Sequence, residues 1–228
     1  MKNKFNALSS LLYVLLCSCS FTSMADKPTF NEKHFDFYKI GKSLSETKFG
    51  WTMVFKDQQR NKTNFNNCNE IATYNPKNIA LFDQFRFKLF IADCTAIYKY
   101  IDANDFNKSF FPKEITHKFI ASLPAHSTPI ITRHGFQQHK GKSLKSALNP
   151  ISIKDKNDKV NLTTDNEEIY INIIARGDFN NDNIEDLLVD SQWYAKKARG
   201  KYNDLVILSK TDKDKPVEIT WRMHGPNW

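Results

Sequence analysis

Side chains with oxygen atoms recur at alternating positions between residues 178 and 186 of this chain. Asp178, Asn180 and Asp182 are followed by Asp186, and the backbone carbonyl of Ile184 lies between the last two. Alternating carboxylates and amides allow a tight loop to turn several oxygens toward one hard cation, and calcium takes roughly six to eight such oxygens at about 2.3–2.6 Å. These five residues are therefore the predicted ligands of a calcium ion.

Two predicted β-strands position this loop. Residues 168–175 precede it and residues 187–194 follow it, and both are rich in the branched and aromatic residues that favour strands. The other strand-like segments of the last third are residues 151–153, 160–162, 202–209 and 217–221. Strands joined by short connections pair most simply as an antiparallel meander. Residues 151–228 are thus predicted to form an antiparallel β region that carries the calcium loop.

The sequence of residues 177–187, GDFNNDNIEDL, resembles the loop of the FG-GAP-type repeat of integrin-like and VCBS-like proteins, which runs Gly-Asp-Phe-Asn-Gly-Asp-Gly-x-x-Asp-Leu. The resemblance extends over about residues 168–222. It implies one four-stranded blade of a β-propeller, with calcium bound through the first, third, fifth and ninth loop positions. Asn181 and Asn183 replace the family's two loop glycines, and Asn is the next most tolerant residue of a left-handed backbone.

The resemblance does not extend to a complete propeller. A propeller needs about 4–8 blades, and the chain contains one copy of the loop. A single blade-like sheet is therefore expected. An EF-hand is excluded as well, because Val189 stands where that loop requires Glu.

Residues 26–150 are expected to be a mixed, mainly helical region. Apolar residues recur at helical spacing in three segments, namely residues 78–90, 92–101 and 112–123. Short strands are predicted at residues 51–55 and 129–132, and an exposed loop at residues 57–69. The predicted fold class is α+β, with a helical N-terminal half packed on a C-terminal antiparallel blade-like sheet.

The first residues have the pattern of an export signal. Lys2 and Lys4 precede an apolar run that is far shorter than the roughly 20 residues needed to cross a bilayer. Cleavage after Ala25 would make residues 1–25 a signal peptide. A lipobox-like sequence instead places the end of a lipoprotein signal at residue 18, which would lipidate Cys19. The chain is thus expected in the periplasm, or at the outer membrane as a bacterial lipoprotein, with membrane anchoring only if Cys19 is lipidated.

Two cysteines remain outside the signal. In an oxidising compartment, Cys68 and Cys94 are most simply a disulfide pair.

Charge and composition exclude several classes of protein. Aromatic residues make up 13% of the chain, which is unlike a disordered protein. Without Lys2 and Lys4, 31 of the 33 basic residues remain against 25 acidic ones, an excess of +6 that is scattered along the sequence. A nucleic-acid-binding protein would usually have a basic stripe on one element, so no nucleic-acid partner is expected.

A basic connection between two predicted strands is a candidate partner-binding surface. Aromatic residues flank the cations there, and aromatic anchors beside cations are typical of protein interfaces. The residues are Trp193, Tyr194, Lys196, Lys197, Arg199 and Tyr202.

The sequence contains no Gly-x-Ser-x-Gly elbow and no glycine-rich phosphate-binding loop. The histidines form no His-Glu-x-x-His pair, and His126, His134 and His139 share an irregular stretch where solvated loops are the simpler interpretation. The expected function is an exported cell-envelope binding module with structural calcium. One alternative is a periplasmic inhibitor or immunity protein against a secreted toxin or hydrolase. A second is an unrecognised hydrolase, which would require a pocket where histidine and carboxylates converge.

Overall fold

The computed structural model describes residues 25–156 and 159–224, so Cys19 and all but the last residue of the predicted signal peptide lie outside the described residues. In chain order the strands are β1 (Thr29–Phe30), β2 (Tyr38–Lys39), β3 (Lys48–Lys56), β4 (Lys62–Asn67), β5 (Ser152–Lys156), β6 (Lys159–Thr163), β7 (Glu167–Gly177), β8 (Asp186–Ala195), β9 (Lys201–Ser209) and β10 (Glu218–Arg222). The α-helices are α1 (Cys68–Thr73), α2 (Leu81–Ile101), α3 (His117–Ser122), α4 (Arg133–His139) and α5 (Leu144–Leu148). Short 3₁₀ turns occupy Pro76–Asn78 and Ala125–Ser127.

Strands β5 to β10 form an open antiparallel sheet in which each strand pairs with the next along the chain. The predicted meander is therefore confirmed. The short strand β1 joins the same sheet from the other end of the chain, because Thr29 and Phe30 register with Arg176 and Ala175 of β7. The fold is a mixed α+β arrangement with open, mostly antiparallel sheets.

The predicted helical N-terminal half is not confirmed. Strands β2, β3 and β4 form an antiparallel sheet of their own. The predicted loop at residues 57–69 was wrong over much of its length, because residues 62–67 are strand β4. Phe65 is the one buried residue of this strand. Because the other residues of β4 are polar, the sequence lacks the alternation of apolar and polar residues that predicts a strand. The predicted strand at residues 129–132 is not formed either.

Two of the predicted helical segments are one helix. Residues 81–101 form the single continuous helix α2, since neither Ala92 nor Asp93 interrupts its backbone hydrogen bonds.

The third predicted helical segment is shorter than expected. Helix α3 begins after Thr116, whose Oγ1 accepts a hydrogen bond from the N–H of Phe119 at 3.2 Å. This N-cap satisfies one of the free donors at the helix start.

The large sheet is the middle layer of the described chain. One face packs with α2 and the small sheet through a cluster that includes Phe55, Phe87, Ile97, Leu188 and Leu205. Phe55 and Phe87 meet edge to face, with ring centroids 5.1 Å apart, a favourable arrangement of aromatic rings. The opposite face packs with α3 and α5 through a second cluster that includes Ile120, Leu144, Ile169, Val189 and Leu208.

The predicted disulfide is confirmed. Cys68 begins α1 and Cys94 lies in α2, and their sulfur atoms are bonded with both residues fully buried. The bond connects the small sheet, which leads directly into α1, to the helix that covers the large sheet.

We expect the double variant Cys68→Ser/Cys94→Ser to lose about 3 kcal/mol of unfolding free energy, because the bond closes a loop across a separation of 26 residues and restricts the unfolded chain. Urea unfolding of the oxidised parent and of the variant measures the difference. Reductant should lower the midpoint of the parent and leave the variant unchanged. Equal midpoints for the oxidised parent and the variant would contradict the prediction.

Candidate functional site

The loop between β7 and β8 folds around the side chain of Asp178. Its Oδ1 accepts hydrogen bonds from the backbone N–H groups of Asn180, Asn181 and Asp182 at 3.2, 2.7 and 3.2 Å. Its Oδ2 accepts one from Asn183 at 2.8 Å. Asn181 and Asn183 have φ angles of 66° and 62°. Both asparagines thus adopt the left-handed conformation expected where the resembling loop has glycine.

The other predicted ligands lie in the same short loop. Asn180 Oδ1 accepts from the N–H of Asp182 at 3.0 Å, and Asp182 Oδ1 accepts from that of Ile184 at 2.8 Å. Asp186 Oδ2 accepts from the N–H of Phe179 at 3.0 Å. Asp178 and Asp186 are buried, whereas Asp182 is exposed. The loop therefore holds two buried acids and one exposed acid close to one another.

The pKa of Asp186 is raised by its position in the loop. Burial raises the pKa of this carboxyl from 3.8 to about 6, and the charges of Asp182 and Asp178 add to that effect. Hydrogen bonds from Ser209 and from the N–H of Phe179 act in the opposite direction. The ionised form of Asp186 is thus disfavoured by its surroundings, which a nearby cation would reverse.

The donor chemistry of this loop fits calcium. It supplies carboxylate, amide and carbonyl oxygens, the hard ligands that calcium takes, and within residues 25–156 and 159–224 none of its three aspartates forms a salt bridge. In the described residues, however, no three His, Cys, Asp or Glu side chains gather as a metal site, and the loop oxygens are turned toward backbone N–H groups. Calcium binding stays a prediction.

The loop also binds a segment that sequence reasoning did not connect with it. We call residues 103–111, which follow α2, the strap. Asn104 and Asp178 exchange backbone hydrogen bonds at 3.0 and 3.1 Å, and the N–H of Asn107 donates to the carbonyl of Asn183 at 3.0 Å. The N–H of Glu185 donates to the carbonyl of Lys108 at 2.8 Å. The loop therefore attaches the end of α2 to the large sheet.

An ion pair extends this attachment beyond the strap. Arg176 of β7 contacts both carboxylate oxygens of Glu185 at 2.7 and 2.9 Å. The same guanidinium donates to the backbone carbonyls of Lys113 and Pro112 at 3.0 and 3.1 Å. Arg176 thereby fixes the chain that leaves the strap, through a bidentate geometry that is among the stronger ion-pair arrangements.

The residues of the predicted partner surface lie on different faces of the β8–β9 hairpin. Trp193 packs with the α3 and α5 face and pairs across the strands with Tyr202, at a ring-centroid distance of 5.7 Å. Tyr194 points to the α2 face, where its ring meets Phe85 at 5.7 Å. Tyr202 is 45% exposed. The exposed part of this surface is therefore Tyr202 with the basic tip, which contains Lys196, Lys197 and Arg199, and its role in binding a partner stays a prediction.

A polar cleft on the α2 face of the sheet was missed by sequence reasoning. It encloses about 310 Å³, and its polar lining includes Asn31, His34, Asp93, Lys159, Asn172 and Gln192. His34 lies in the turn after β1, Asp93 lies in α2, and Asn172 lies in β7. The Nε2 of His34 lies 3.0 Å from Asp93 Oδ1, and Asn172 Nδ2 lies 3.1 Å from His34 Nδ1.

Asp93 orders this side of the cleft. Its second oxygen, Oδ2, accepts a hydrogen bond from the hydroxyl of Tyr38 at 2.8 Å. Burial alone would lower the pKa of His34, but the hydrogen bond and charge of Asp93, together with the charge of Asp190, raise it above 6.5. Burial and then the charge of Asp93 raise the pKa of Tyr38. The imidazole and the phenol therefore both act as hydrogen-bonding partners of one carboxylate.

A second carboxylate lies under the cleft. Asp190 is buried in β8, directly opposite Asn172 of β7. Gln192 Nε2 donates to Asp190 Oδ2 at 3.0 Å, and Lys159 Nζ lies 4.0 Å from the same oxygen. Burial raises the pKa of Asp190 from 3.8 to about 6, although the charges of His34 and Lys159 lower it. A histidine and two carboxylates thus converge here, but the cleft has no Ser, Thr or Cys among its lining residues.

The sequence did carry a signal for this cleft. Asn172, Asp190 and Gln192 are polar residues within otherwise apolar strands, and a buried polar residue is the more informative exception to the hydrophobic pattern. The sequence could not show that His34 and Asp93 lie beside these residues, because their proximity depends on how the turn after β1 and helix α2 pack on the sheet. The histidines of the irregular stretch lie elsewhere, and His126 is half-buried against the ring of Phe136 at 4.3 Å.

We expect Asp190→Asn to reduce the pH dependence of stability between about pH 4 and pH 6. The folded pKa of Asp190 is raised to about 6 while the unfolded chain keeps the ordinary value. The folded state of the parent then holds more protons in this window, so its unfolding free energy falls as the pH rises. Asn does not titrate, and Asp186 supplies the part of the slope that remains.

Urea unfolding in the presence of a chelator, at a series of pH values, measures this slope. Asp212→Asn, in an exposed turn, serves as the control and should keep the slope of the parent. Identical slopes for the parent and Asp190→Asn would show that Asp190 titrates in the folded state as it does in the unfolded chain.

Comparison with known proteins adds no relative to these observations. No protein-family model, curated protein or solved structure matches the chain. None of the helices in the described residues is long and apolar enough to cross a membrane. The resemblance to the FG-GAP-type loop thus depends on the residues of the loop and on their geometry.

Proposed function

We propose that the protein is an exported cell-envelope binding module, related to a single FG-GAP-type blade, in which calcium fixes the loop between β7 and β8. The observation that carries this proposal is the loop geometry, in which the buried Asp178 and Asp186 lie close to the exposed Asp182. Burial, and to a smaller extent the charges of the other two acids, raises the pKa of Asp186. Bound calcium would neutralise these acids at the place where the loop holds the strap. The ion would then stabilise the junction of α2 and the sheet, and would have no catalytic role.

Calcium should act on the folded state by mass action. The loop oxygens come from residues within nine positions of one another, but their arrangement depends on the pairing of β7 with β8. The unfolded chain therefore offers a much weaker site, and binding to the folded state alone raises its stability with ligand concentration. At about 100 times the Kd, this contribution is about 2.7 kcal/mol.

We expect added calcium to raise the melting temperature of chelator-treated protein, and Asp182→Asn to reduce that rise strongly. Asp182 is exposed, and the amide oxygen of Asn can still accept the hydrogen bond that Asp182 Oδ1 receives from Ile184. The substitution thus removes a charge from the site while it keeps the loop bond. Differential scanning calorimetry over a calcium titration measures the effect.

A matched control is available in the turn between β9 and β10. Asp212 Oδ1 accepts from the N–H of Asp214 at 3.0 Å, the same type of bond at the same spacing. Asp212→Asn should leave the calcium response intact. No calcium-dependent rise in the parent, or an equal rise in Asp182→Asn, would refute the metal site.

The binding part of the proposal depends on the exposed end of the β8–β9 hairpin. Lys197 Nζ lies 3.5 Å from Asn166 Oδ1, and Lys201 Nζ lies 5.9 Å from the ring centroids of both Phe85 and Tyr194. These contacts hold two cations at the exposed end of the hairpin, where Tyr202 presents an aromatic ring on the face opposite to that of Lys201. An acidic protein surface is the partner that this combination favours.

We expect Tyr202→Ala to abolish capture of a single stoichiometric partner from envelope extract, because aromatic anchors carry much of the affinity of an interface. Tyr98→Ala is the control, since Tyr98 is similarly exposed, at 49%, but lies on α2. Mass spectrometry of the captured proteins measures the outcome. A captured toxin or hydrolase would favour the inhibitor or immunity alternative. Equal capture by both variants would contradict the assignment of the surface.

A further inference from the structure

The edge of the large sheet is interrupted beside the polar cleft. Strand β6 registers with residues 168–171 of β7, and β1 registers with residues 175–176. On this edge, no strand of the described chain registers with residues 172–174, although the N–H of Asn31, just after β1, donates to the carbonyl of Ile174 at 2.8 Å. The pairing of β7 with β8 shifts between Ile173 and Ala175. Such irregularities are common at sheet edges and next to functional sites. Here the gap places Asn172 at the wall of the cleft.

Charged side chains around the cleft form two pairs of opposite sign. His34 lies 3.0 Å from Asp93, and Lys159 lies 4.0 Å from Asp190. Lys33 also lines the cleft. Because Asn172 Nδ2 donates to its Nδ1, the imidazole of His34 is neutral in this arrangement, and the two lysines balance the two carboxylates. Protonation of His34, which its raised pKa favours, adds one positive charge. An entering anion would lie near Asp93, and an entering cation would lie near Lys159, so neither type of ion finds a surface of one sign.

Hydrogen-bonding capacity remains after these internal contacts. An amide side chain has two donors and two acceptor lone pairs. Asn172 uses one N–H on His34, and Gln192 uses one on Asp190. The Oε1 of Gln192 also accepts a hydrogen bond from the hydroxyl of Tyr194 at 2.9 Å, which leaves this side chain one N–H and one acceptor lone pair. Asn31 Oδ1 accepts from the N–H of His34 at 3.2 Å, which leaves its amide N–H groups for another acceptor. The cleft thus presents donors and acceptors together.

We propose that the polar cleft binds a small, uncharged, hydroxyl-rich molecule of the saccharide class. A hydroxyl both donates and accepts, so it matches a lining of amides and paired charges without separating the pairs. The volume of about 310 Å³ lies at the small end of the range for ligand pockets, roughly 300–1,000 Å³. This site is separate from the β7–β8 loop and from the exposed tip of the β8–β9 hairpin, and the proposal does not depend on either.

Isothermal titration calorimetry on the full mature chain tests the proposal with matched sugars. Glucose, galactose and N-acetylglucosamine are the neutral probes, glucuronate is the anionic one and glucosamine the cationic one. At least one neutral sugar should bind at least about tenfold more tightly than both charged sugars, which corresponds to about 1.4 kcal/mol. Tighter binding of a charged sugar, or no binding by any of the five, would overturn the proposal.

Two further measurements locate the site. Gln192→Leu should weaken binding of the neutral sugar at least about tenfold, whereas Gln138→Leu, the same change at an exposed position on α4, should leave it unchanged. Nuclear magnetic resonance of the imidazole groups in the parent should show the sugar shifting the signals of His34 among the chain's six histidines, even if Gln192→Leu fails to fold. Binding that leaves the His34 signals in place would show that the sugar binds elsewhere.

Discussion

Strands β7, β8 and β9 are buried on both faces, and much of the described chain is arranged to cover them. Helix α2 and the small sheet cover one face, and α3 and α5 cover the other. A sheet with two covered faces needs a firm connection between the covering layers and the strands, because each layer alone would expose apolar surface to water. The contacts between the β7–β8 loop and the strap are one such connection, and the disulfide holds the small sheet and α2 together within one covering layer.

The same constraint explains the polar cleft. On the α2 face of the sheet, the apolar residues give way to the polar residues Asn172, Asp190 and Gln192. Apolar packing of α2 on the sheet cannot by itself exclude water from this part of the interface. Instead, Asp93 of α2 bonds to His34, which lies in the turn after β1, and His34 in turn bonds to Asn172 of β7. Buried polar groups are costly unless they are bonded, so this part of the interface is held by directional contacts, which restrict how the layers can be placed.

The sequence predicted the C-terminal third well and the N-terminal part poorly, for physical reasons. Residues 160–162, 168–175, 187–194 and 202–209 have strong strand patterns, and short turns allow only a few topologies, so the meander could be derived. The disulfide followed from the two cysteines that remain outside the predicted export signal. Strand β4 was missed because its stability comes from pairing with β3 and from Phe65, and neither is visible in local sequence. The strap was missed because its partner, the loop around Asp178, lies far away in the chain. In the β7–β8 loop, the left-handed conformations of Asn181 and Asn183 agree with the expectation from the resemblance. The polar cleft could not be predicted, because its residues meet only through long-range packing.

The pairing of β1 with β7 has a consequence for how the chain folds. Thr29 and Phe30 register with residues of β7 that are made only when most of the chain has been synthesised. Contacts between segments so far apart form slowly, because a long loop must close before they contribute any stability. The N-terminal strand therefore has no partner while the chain emerges, and the large sheet is completed late. Because β1 can join only an edge that β7 already provides, the two ends of the described chain complete the large sheet together.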